Sequence, residues 1–350
     1  MNYHQQSELK KCFLDKTKIE KVEIILTNAC NLKCTYCFAN GGSYNKPKRK
    51  ISKDILNSII KFIRENNVKE VVFFGGEPSL AEEEIKYFCD LLNLYNLKPR
   101  LKMVSNLYFI SDALIDLIKD NNIILTGSLD GPEDINNINR KAYDNGNVYQ
   151  RVTKNIFSLK EAGIHISAIE ATITKEHRNL GYDKKFIEKY LQDTFGVSTI
   201  YIEDDINESD YLDLIESHYV GKSNSVILND KVRLKRMVAN YFGKYQRTCG
   251  LCDAGRRNIC IDVDGEIYPC HFYILEGEKY KLGNIVDQNL KRFELVDKAR
   301  KKMNCSCCEA RWSCSACTYL FITKKIPYDS FCKARKQINS ELLYQIIENH

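Results

Sequence analysis

The sequence has no run of about 18 apolar residues, the length that a membrane-spanning helix needs. Its first residues, MNYHQQSELKKCFLDK, lack the apolar segment of a secretory signal. It contains no internal repeat and no low-complexity tract. These absences predict a globular cytoplasmic protein without a membrane partner.

Compact runs of residues with the same charge are also scarce. The formal net charge is +6, but the basic residues are spread along the chain, and the only compact run is NKPKRK at 45–50. Such a run usually forms a solvated loop, so we expect no nucleic-acid partner. With 350 residues, 44% of them hydrophobic, the chain can bury a large core in one or two domains.

Cysteine is abundant, with 15 residues in the chain. In a reducing compartment, clustered cysteines more often bind metal or perform chemistry than form disulfides. The segment ILTNACNLKCTYCF places Cys30, Cys34 and Cys37 together, and the next cysteine is Cys89, in an apolar helical pattern. Structural zinc sites and iron-sulfur clusters normally have four protein ligands. The trio therefore indicates either an incomplete structural site or a cluster with one iron open to a ligand that is not protein.

Short β-branched runs alternate with helical periods between residues 22 and 204, which predicts a parallel sheet covered by helices. The candidate strands are VEIILT, EVVFF, LKMVS, IILTGS, HISAIEATI and STIYIE, and Ser52 is a candidate N-cap of the helix SKDILNSIIKFIREN. Six such units make a partial barrel, whose active site gathers at the C-terminal strand ends. Cys30, Gly75, Asn106 and Ser128 fall at or just past predicted strand ends.

Gly75-Gly76-Glu77-Pro78 follows the strand KEVVFF. The glycines allow close approach of the backbone, and Glu77 offers an acceptor for an ammonium group. With CxxxCxxC, and with SLDGP following in order, this segment resembles the radical S-adenosylmethionine (SAM) superfamily. The resemblance implies a partial (β/α)6 TIM-type barrel and a four-iron cluster whose open iron chelates the amino and carboxylate groups of SAM. Its catalytic metal ligands would be Cys30, Cys34 and Cys37.

The same resemblance assigns the contacts with SAM. Tyr36 matches the position that packs near the adenine, and Glu77, beside Gly75 and Gly76, matches the residue that meets the amino group. Three further polar residues resemble positions that contact the ribose and methionine parts of SAM: Asn106, Ser128 and Arg140.

Ten of the 15 cysteines lie after residue 248. In CGLCDAGRRNICIDVDGEIYPCHF, Asp264-Gly265 predicts a hairpin turn between two strands. The spacing resembles the SPASM extension of radical SAM enzymes, which carries two auxiliary four-iron clusters. The resemblance assigns the first cluster to Cys249, Cys252, Cys270 and Cys317. It assigns the second to Cys305, Cys308, Cys314 and Cys332.

Alternatives to this assignment remain open. The last CxxC gap is one residue shorter than is usual in the family, and Cys307 beside Cys308 permits a shifted register. CxxC pairs are also typical of zinc ligands, so two four-cysteine zinc sites are the competing hypothesis. His271 could exchange protons near a cluster, although a structural histidine is the preferred interpretation.

The predicted domains are an N-terminal extension at 1–21, the radical SAM core at 22–204, a helical connector at 205–248 and the SPASM domain at 249–350. The extension is too short for a winged-helix domain that recognises a precursor. We expect any such recognition protein to be a separate chain.

The resemblance implies that the enzyme reductively cleaves SAM to a 5′-deoxyadenosyl radical, with an electron from a flavodoxin or ferredoxin type of donor. Auxiliary clusters could take the further electron that a substrate radical must lose. The first hypothesis is a maturase that crosslinks or dehydrogenates a ribosomally synthesised peptide. The alternatives are an anaerobic sulfatase-maturating, formylglycine-generating enzyme and, in another class, a non-catalytic iron-sulfur or zinc protein. Relatives of the sulfatase type carry an acidic residue where this chain has His271.

Overall fold

The structure is a computed structural model that describes residues 18–203, 252–312, 314, 317–323, 329, 332, 333, 336 and 340. The described residues form two compact units. The core unit comprises 18–203 and 255–292, and the cysteine-rich unit comprises 252–254 and the described residues from 293 onward. The predicted connector at 205–248 lies outside the described residues, and the domain boundaries remain predictions.

Six parallel strands form the centre of the core unit, in the sequential order β1 to β6. They are β1 (Lys21–Thr27), β2 (Glu70–Gly75), β3 (Arg100–Ser105), β4 (Ile124–Ser128), β5 (Ala168–Ile173) and β6 (Thr199–Glu203). All six predicted strands are confirmed, although β5 begins at Ala168 instead of His165. The sequential parallel order confirms the predicted α/β class, because each strand must return by a crossover to the same end of the sheet.

Helices connect these strands. They are α1 (Lys53–Asn66), α2 (Glu82–Leu94), α3 (Asp112–Asp120), α4 (Glu133–Asn139), α5 (Val148–Glu161), α6 (Lys175–Asn179) and α7 (Lys184–Phe195). Ser52 caps α1 as predicted, because its hydroxyl accepts a hydrogen bond from the Ile55 amide at 3.3 Å. No helix in the described part of the chain is long and apolar enough to cross a bilayer.

The two faces of the sheet differ in chemistry. Val22, Ile24 and Phe73 are completely buried, and the Phe73 ring meets Phe88 of α2 edge to face at 5.6 Å. Because side chains alternate along a strand, Glu23 and Phe74 belong to the opposite face. One face is therefore apolar and covered by helices, and the other carries the polar and ionisable groups.

A hairpin from the cysteine-rich sequence extends the core sheet. Strand β7 (Asn258–Ile261) pairs in parallel with β1, and β8 (Glu266–Tyr268) returns antiparallel to it. The predicted turn at Asp264-Gly265 is present, with Gly265 at φ +78°, a backbone angle that glycine adopts without strain. Two short strands, β9 (Gly283–Asn284) and β10 (Asn289–Leu290), complete the edge.

The cysteine-rich unit contains α8 (Glu294–Lys302), α9 (Thr318–Ile322) and short 3-10 turns at Cys305–Cys307 and Glu309–Trp312. Among its described cysteines, Cys305 and Cys307 lie on a 3-10 turn, Cys317 directly precedes α9, and Cys332 is helical.

Candidate active site

The loop after β1 carries the cysteine trio and is tied to the end of α4 and to the segment that follows it. The Lys33 amide donates to the Lys141 carbonyl at 2.7 Å, and the Thr35 amide donates to the Asn139 carbonyl at 2.9 Å. The Cys37 amide donates to the Cys34 carbonyl at 3.2 Å. The loop is therefore held in shape by backbone bonds of its own and of the neighbouring segment.

Burial raises the pKa of Cys30 to about 12 and that of Cys34 to about 11. The charge of Glu77, followed by those of Cys34 and Cys37, adds to the effect at Cys30, so these groups lie near its thiol. The Cys30 sulfur also accepts a hydrogen bond from the Leu32 amide at 3.4 Å. Metal ligation requires thiolates, so a metal group bound at this loop would have to displace these protons.

Gly75 and Gly76 bring β2 directly against the cysteine loop. The Gly76 amide donates to the Thr27 carbonyl at 2.8 Å, and the Glu77 amide donates to the Ala29 carbonyl at 2.9 Å. A Cβ atom on Gly76 would collide with the Ala29 carbonyl oxygen. The close approach predicted for these glycines is therefore made, in this structure, to the backbone of the cysteine loop.

Glu77 is buried, with 1% of its surface exposed, and three donors occupy its carboxylate. Oε1 accepts from the Ser79 amide at 3.0 Å and the Ser105 hydroxyl at 2.7 Å, and Oε2 accepts from the Asn106 amide at 2.7 Å. Burial raises the pKa of Glu77. Glu77 thus ties the end of β2 to the end of β3, and its contact with the SAM amino group stays a prediction.

Asn106 reaches from β3 toward the trio. Its Nδ2 donates to the Asn31 side-chain oxygen at 2.8 Å and lies 3.7 Å from the Cys30 sulfur. Its Oδ1 accepts from the Tyr108 amide at 2.9 Å. The structure therefore brings Asn106 to the cysteine site, as its strand-end position predicted.

Asp130 joins two of the predicted SAM-binding residues. The Tyr36 hydroxyl donates to its Oδ2 at 2.8 Å, and Arg140 Nη2 donates to its Oδ1 at 2.9 Å. The Thr172 amide on β5 donates to the same Oδ1 at 3.0 Å. Asp130 is completely buried and lies in the SLDGP motif, but its function as this junction was not predicted from the sequence.

Arg140 and Tyr36 also contact each other, with the guanidinium carbon 5.5 Å from the ring centroid. The buried Nε of Arg140 has no hydrogen-bond partner among the described residues. Burial raises the pKa of Tyr36 well above its usual value. The pair therefore offers one free donor and one aromatic face next to the trio.

Ser128 ends β4 and pairs in register with Glu170 of β5. Ile169 and Ala171 are completely buried, so Glu170 between them belongs to the polar face of the sheet. Burial raises the pKa of Glu170, against the attraction of His271, Arg140 and Lys21. No described donor forms a hydrogen bond with its carboxylate, which leaves it available to a ligand.

Glu23 and His271 form a second polar junction. Glu23 Oε2 lies 2.9 Å from His271 Nδ1, and Glu23 Oε1 accepts from Lys21 Nζ at 2.8 Å. The His271 ring stacks on Phe74, with centroids 4.6 Å apart, and also lies 5.6 Å from Phe38, which follows Cys37. These contacts fix the histidine between β1, β2 and the cysteine loop, in agreement with a structural interpretation. The sequence signal for the polar face of the sheet was an acidic residue within an otherwise apolar strand, as at Glu23 and Glu170.

The cysteine-rich unit groups its thiols into two sets. Burial, followed by the charges of Cys314, Cys332 and Cys308, raises the pKa of Cys305 to about 12. Cys307 is exposed, whereas Cys305 is buried. The four residues predicted for the second auxiliary cluster are therefore neighbours.

Cys252 and Cys317, assigned to the first auxiliary cluster, are neighbours as well. Burial and the charge of Cys252 raise the pKa of Cys317, and the Cys252 sulfur lies 3.2 Å from the Thr318 hydroxyl. Cys249 lies outside the described residues, and Cys270 belongs to the core unit. The complete ligand set of this cluster stays a prediction.

The sets of thiols fit iron-sulfur clusters by their chemistry. Four-iron clusters are held by cysteine thiolates, and the groups contain thiols in preference to imidazoles or carboxylates. Within the described residues, no three His, Cys, Asp or Glu side chains are spaced to hold a single metal ion.

Comparisons with known proteins agree with this chemistry. The Radical SAM superfamily model matches residues 24–177, and the model of the SPASM iron-sulfur cluster-binding domain matches residues 252–318. A cysteine-type anaerobic sulfatase-maturating enzyme of Clostridium perfringens is 25% identical, over 89% of this chain and 92% of the relative.

Two solved structures share the fold. The structure of native anSMEcpe with bound AdoMet and Cp18Cys peptide has a TM-score of 0.65 at 22% identity, covering 94% of this chain and 98% of that one. Streptococcus suis SuiB bound to precursor peptide SuiA has a TM-score of 0.56 at 17% identity, covering 82% and 66%. The chain is therefore a radical SAM enzyme with a SPASM iron-sulfur cluster-binding domain, and its cofactors are [4Fe-4S] clusters and SAM.

Proposed function

We propose that the enzyme is a maturase that oxidatively modifies a residue of a ribosomally synthesised peptide. The observation that carries this proposal is the chemistry of the polar face of the core sheet. That face presents Lys21, Glu23, Glu170 and His271, all partly or fully removed from water. Lys21, Glu23 and His271 pair with one another, but Glu170 has no hydrogen-bond donor among the described residues. A buried ionisable group needs a polar partner, so this face suits a substrate rich in amide and charged groups better than an apolar one.

The cofactors would be held by residues already described. The trio would hold the SAM cluster, and Arg140 Nε, Tyr36, Asn106 and Ser128 would bind SAM. When bound, these groups supply one-electron cleavage of SAM and a radical that removes a hydrogen atom from the substrate. Asp130 holds Tyr36 and Arg140 in place, and Glu77 holds the ends of β2 and β3 in register. The free carboxylate of Glu170 would accept hydrogen bonds from the peptide.

Formylglycine formation on a sulfatase is the second candidate. It is favoured by the similarity to the sulfatase-maturating enzyme, which extends over nearly the whole of both chains. His271, held by Glu23, stands where relatives of that type have an acidic residue, and this difference favours the peptide maturase.

One assay separates the hypotheses. Reconstituted enzyme, SAM and dithionite are incubated with two peptides, one encoded by a small reading frame near the gene and one carrying the target cysteine of a sulfatase. We expect 5′-deoxyadenosine, and loss of two hydrogens from the first peptide by mass spectrometry. Conversion of the sulfatase cysteine to an aldehyde alone would establish the second candidate. An absence of 5′-deoxyadenosine would contradict both.

A further inference from the structure

In the basic run NKPKRK, some of the cationic side chains form ion pairs and one does not. Lys46 forms ion pairs with Asp262 at 2.5 Å and with Asp264 at 3.1 Å, and Lys50 pairs with Glu84 at 3.1 Å. Arg49 also pairs with Asp264. Lys48 is exposed and forms no ion pair with any described carboxylate.

Lys48 instead shares one aromatic ring with a second exposed lysine, Lys33. The Lys48 ammonium lies 5.1 Å from the Tyr143 ring centroid, and the Lys33 ammonium lies 5.5 Å from the same centroid. Lys141 is two residues before Tyr143, and its carbonyl accepts the Lys33 amide at 2.7 Å. We call Lys33, Lys48, Lys141 and Tyr143 the basic patch. None of its three lysines forms an ion pair within the described residues.

The basic patch adjoins the cysteine loop. Lys33 stands between Cys30 and Cys34, and Leu32 pairs with Ala142 in an isolated antiparallel bridge. Asp144, the acidic residue that follows Tyr143, bonds to residues outside the patch. It accepts from the Tyr108 hydroxyl at 2.5 Å and pairs with Arg151 at 3.0 Å. The positive charge of the patch is therefore not neutralised by its neighbour.

Like charges held together on a surface without counter-charges favour an acidic partner. Two ammonium groups on one ring are also partly fixed in position, because the cation-π contact restricts the long side chains. Electron-transfer complexes between proteins are small and transient, and they depend on such steering more than on buried area. The trio on the cysteine loop would hold the cluster that receives the electron, and Lys33 of the basic patch lies in that loop.

We propose that the basic patch is the docking surface for an acidic one-electron donor of the flavodoxin type. In the docked complex the flavin loses one electron, the cluster held by the trio gains it, and no atoms are exchanged. Lys33 and Lys48, whose side chains are restricted by the Tyr143 ring, orient the donor over the loop. The proposal concerns reduction of the cluster, which needs no peptide, so its test is independent of the substrate proposed above.

The test compares two double variants of the reconstituted full-length enzyme. Lys48→Glu/Lys141→Glu reverses two charges of the basic patch. Lys61→Glu/Lys160→Glu makes the same change in net charge at exposed lysines of α1 and α5. Binding of purified FMN-containing flavodoxin is measured by biolayer interferometry at low and physiological ionic strength. SAM cleavage is measured with reduced flavodoxin and, separately, with dithionite.

We expect the patch variant to weaken flavodoxin binding about tenfold at low salt, and the control to change it about twofold or less. Flavodoxin-driven SAM cleavage should fall in the patch variant, and dithionite-driven cleavage should be retained. Wild-type binding should weaken as salt rises. Iron content and circular dichroism confirm that both variants are folded and loaded.

Three results would overturn the proposal. Equal loss of binding in both variants would show a general effect of net charge. Loss of dithionite-driven cleavage in the patch variant would show that these lysines support the cysteine loop itself. Unchanged flavodoxin binding together with poorer peptide modification under dithionite would assign the patch to an acidic part of the substrate.

Discussion

Glu23 on β1 and His271 after β8 are joined by a contact of 2.9 Å between Oε2 and Nδ1, across 248 positions of sequence. Burial alone would raise the pKa of Glu23, but the attraction of His271 and Lys21 outweighs it and holds the pKa well below its usual range. Glu23 is therefore a carboxylate in the folded protein. It links the radical SAM core to the hairpin that carries Cys270.

Replacing Glu23 by Gln should lower the free energy of unfolding by about 1–3 kcal/mol at neutral pH, because a charged hydrogen-bond acceptor is lost beside Lys21 and His271. A depressed carboxyl pKa stabilises the fold above the unfolded value and loses that contribution as pH falls. The difference between wild type and variant should thus persist at pH 7 and shrink below about pH 4.3. Urea unfolding monitored by circular dichroism measures it. Glu65→Gln, an exposed change on α1, is the control, and equal effects would refute the assigned function of Glu23.

Asp130→Asn should destabilise the protein by about 3 kcal/mol, because it leaves the buried guanidinium of Arg140 without its charge partner. Binding of SAM, followed by equilibrium dialysis, should weaken at the same time, since Tyr36 and Arg140 lose their common anchor. The matched control is Asp144→Asn. Asp144 also pairs with an arginine, but in solvent, and its variant should unfold at nearly the wild-type denaturant concentration. If the two variants behaved alike, the Asp130 junction would have no special importance.

Gly76→Ala should prevent assembly of the SAM cluster. The added methyl group would collide with the Ala29 carbonyl oxygen, so β2 and the cysteine loop could not keep their present distance. Gly163→Ala is the control, because nothing lies within 4 Å of the position that its added methyl group would occupy, despite a φ of +81°. The Gly163→Ala variant should keep its iron. It should lose about 1 kcal/mol of stability, because alanine is strained in a left-handed backbone conformation. Full iron and normal SAM cleavage in Gly76→Ala would contradict the packing argument.

The sequence predicted the grouping of the three cysteines on one loop and the six strands. It also predicted the strand-end placement of Cys30, Gly75, Asn106 and Ser128. These features depend on local patterns of hydrophobicity and spacing. It did not predict the occupation of the Glu77 carboxylate by Ser79, Ser105 and Asn106, since those contacts depend on how two strand ends meet. The Glu23–His271 contact was missed for the same reason. Its partners lie 248 positions apart in the sequence and become neighbours only when β7 pairs with β1.

Metal content tests the assignment of the cysteines. With four irons per cluster, the wild-type enzyme should contain about twelve irons and about twelve acid-labile sulfides per chain. Replacing the trio by alanine should remove about four of each and abolish SAM cleavage, whereas replacing Cys305, Cys308, Cys314 and Cys332 should remove about four and retain SAM cleavage. Cys307→Ala, an exposed cysteine in the same segment, is the control and should keep full iron. About four irons with two zinc ions would contradict the auxiliary clusters.

Glu170 lies on the same face as Glu23 but should show the opposite pH dependence. Its pKa is raised by burial, so the folded state holds the proton more tightly than the unfolded state, and stability is lost as pH rises through the folded pKa. Glu170→Gln does not titrate and should therefore be more stable than wild type at pH 7, by about 1 kcal/mol, with no difference below about pH 4.

The cost of that carboxylate in the wild-type enzyme is expected to be offset by substrate binding. Glu170→Gln should raise KM for the peptide about tenfold with little change in kcat. The lost charged acceptor would stabilise the bound substrate and the transition state equally. Glu188→Gln on α7 is the matched control: burial raises the pKa of Glu188 too, but its helix connects β5 to β6 and does not belong to the sheet. Its variant should reproduce the change in stability with pH and leave KM unchanged. A raised KM in both variants, or in neither, would exclude Glu170 from the peptide site.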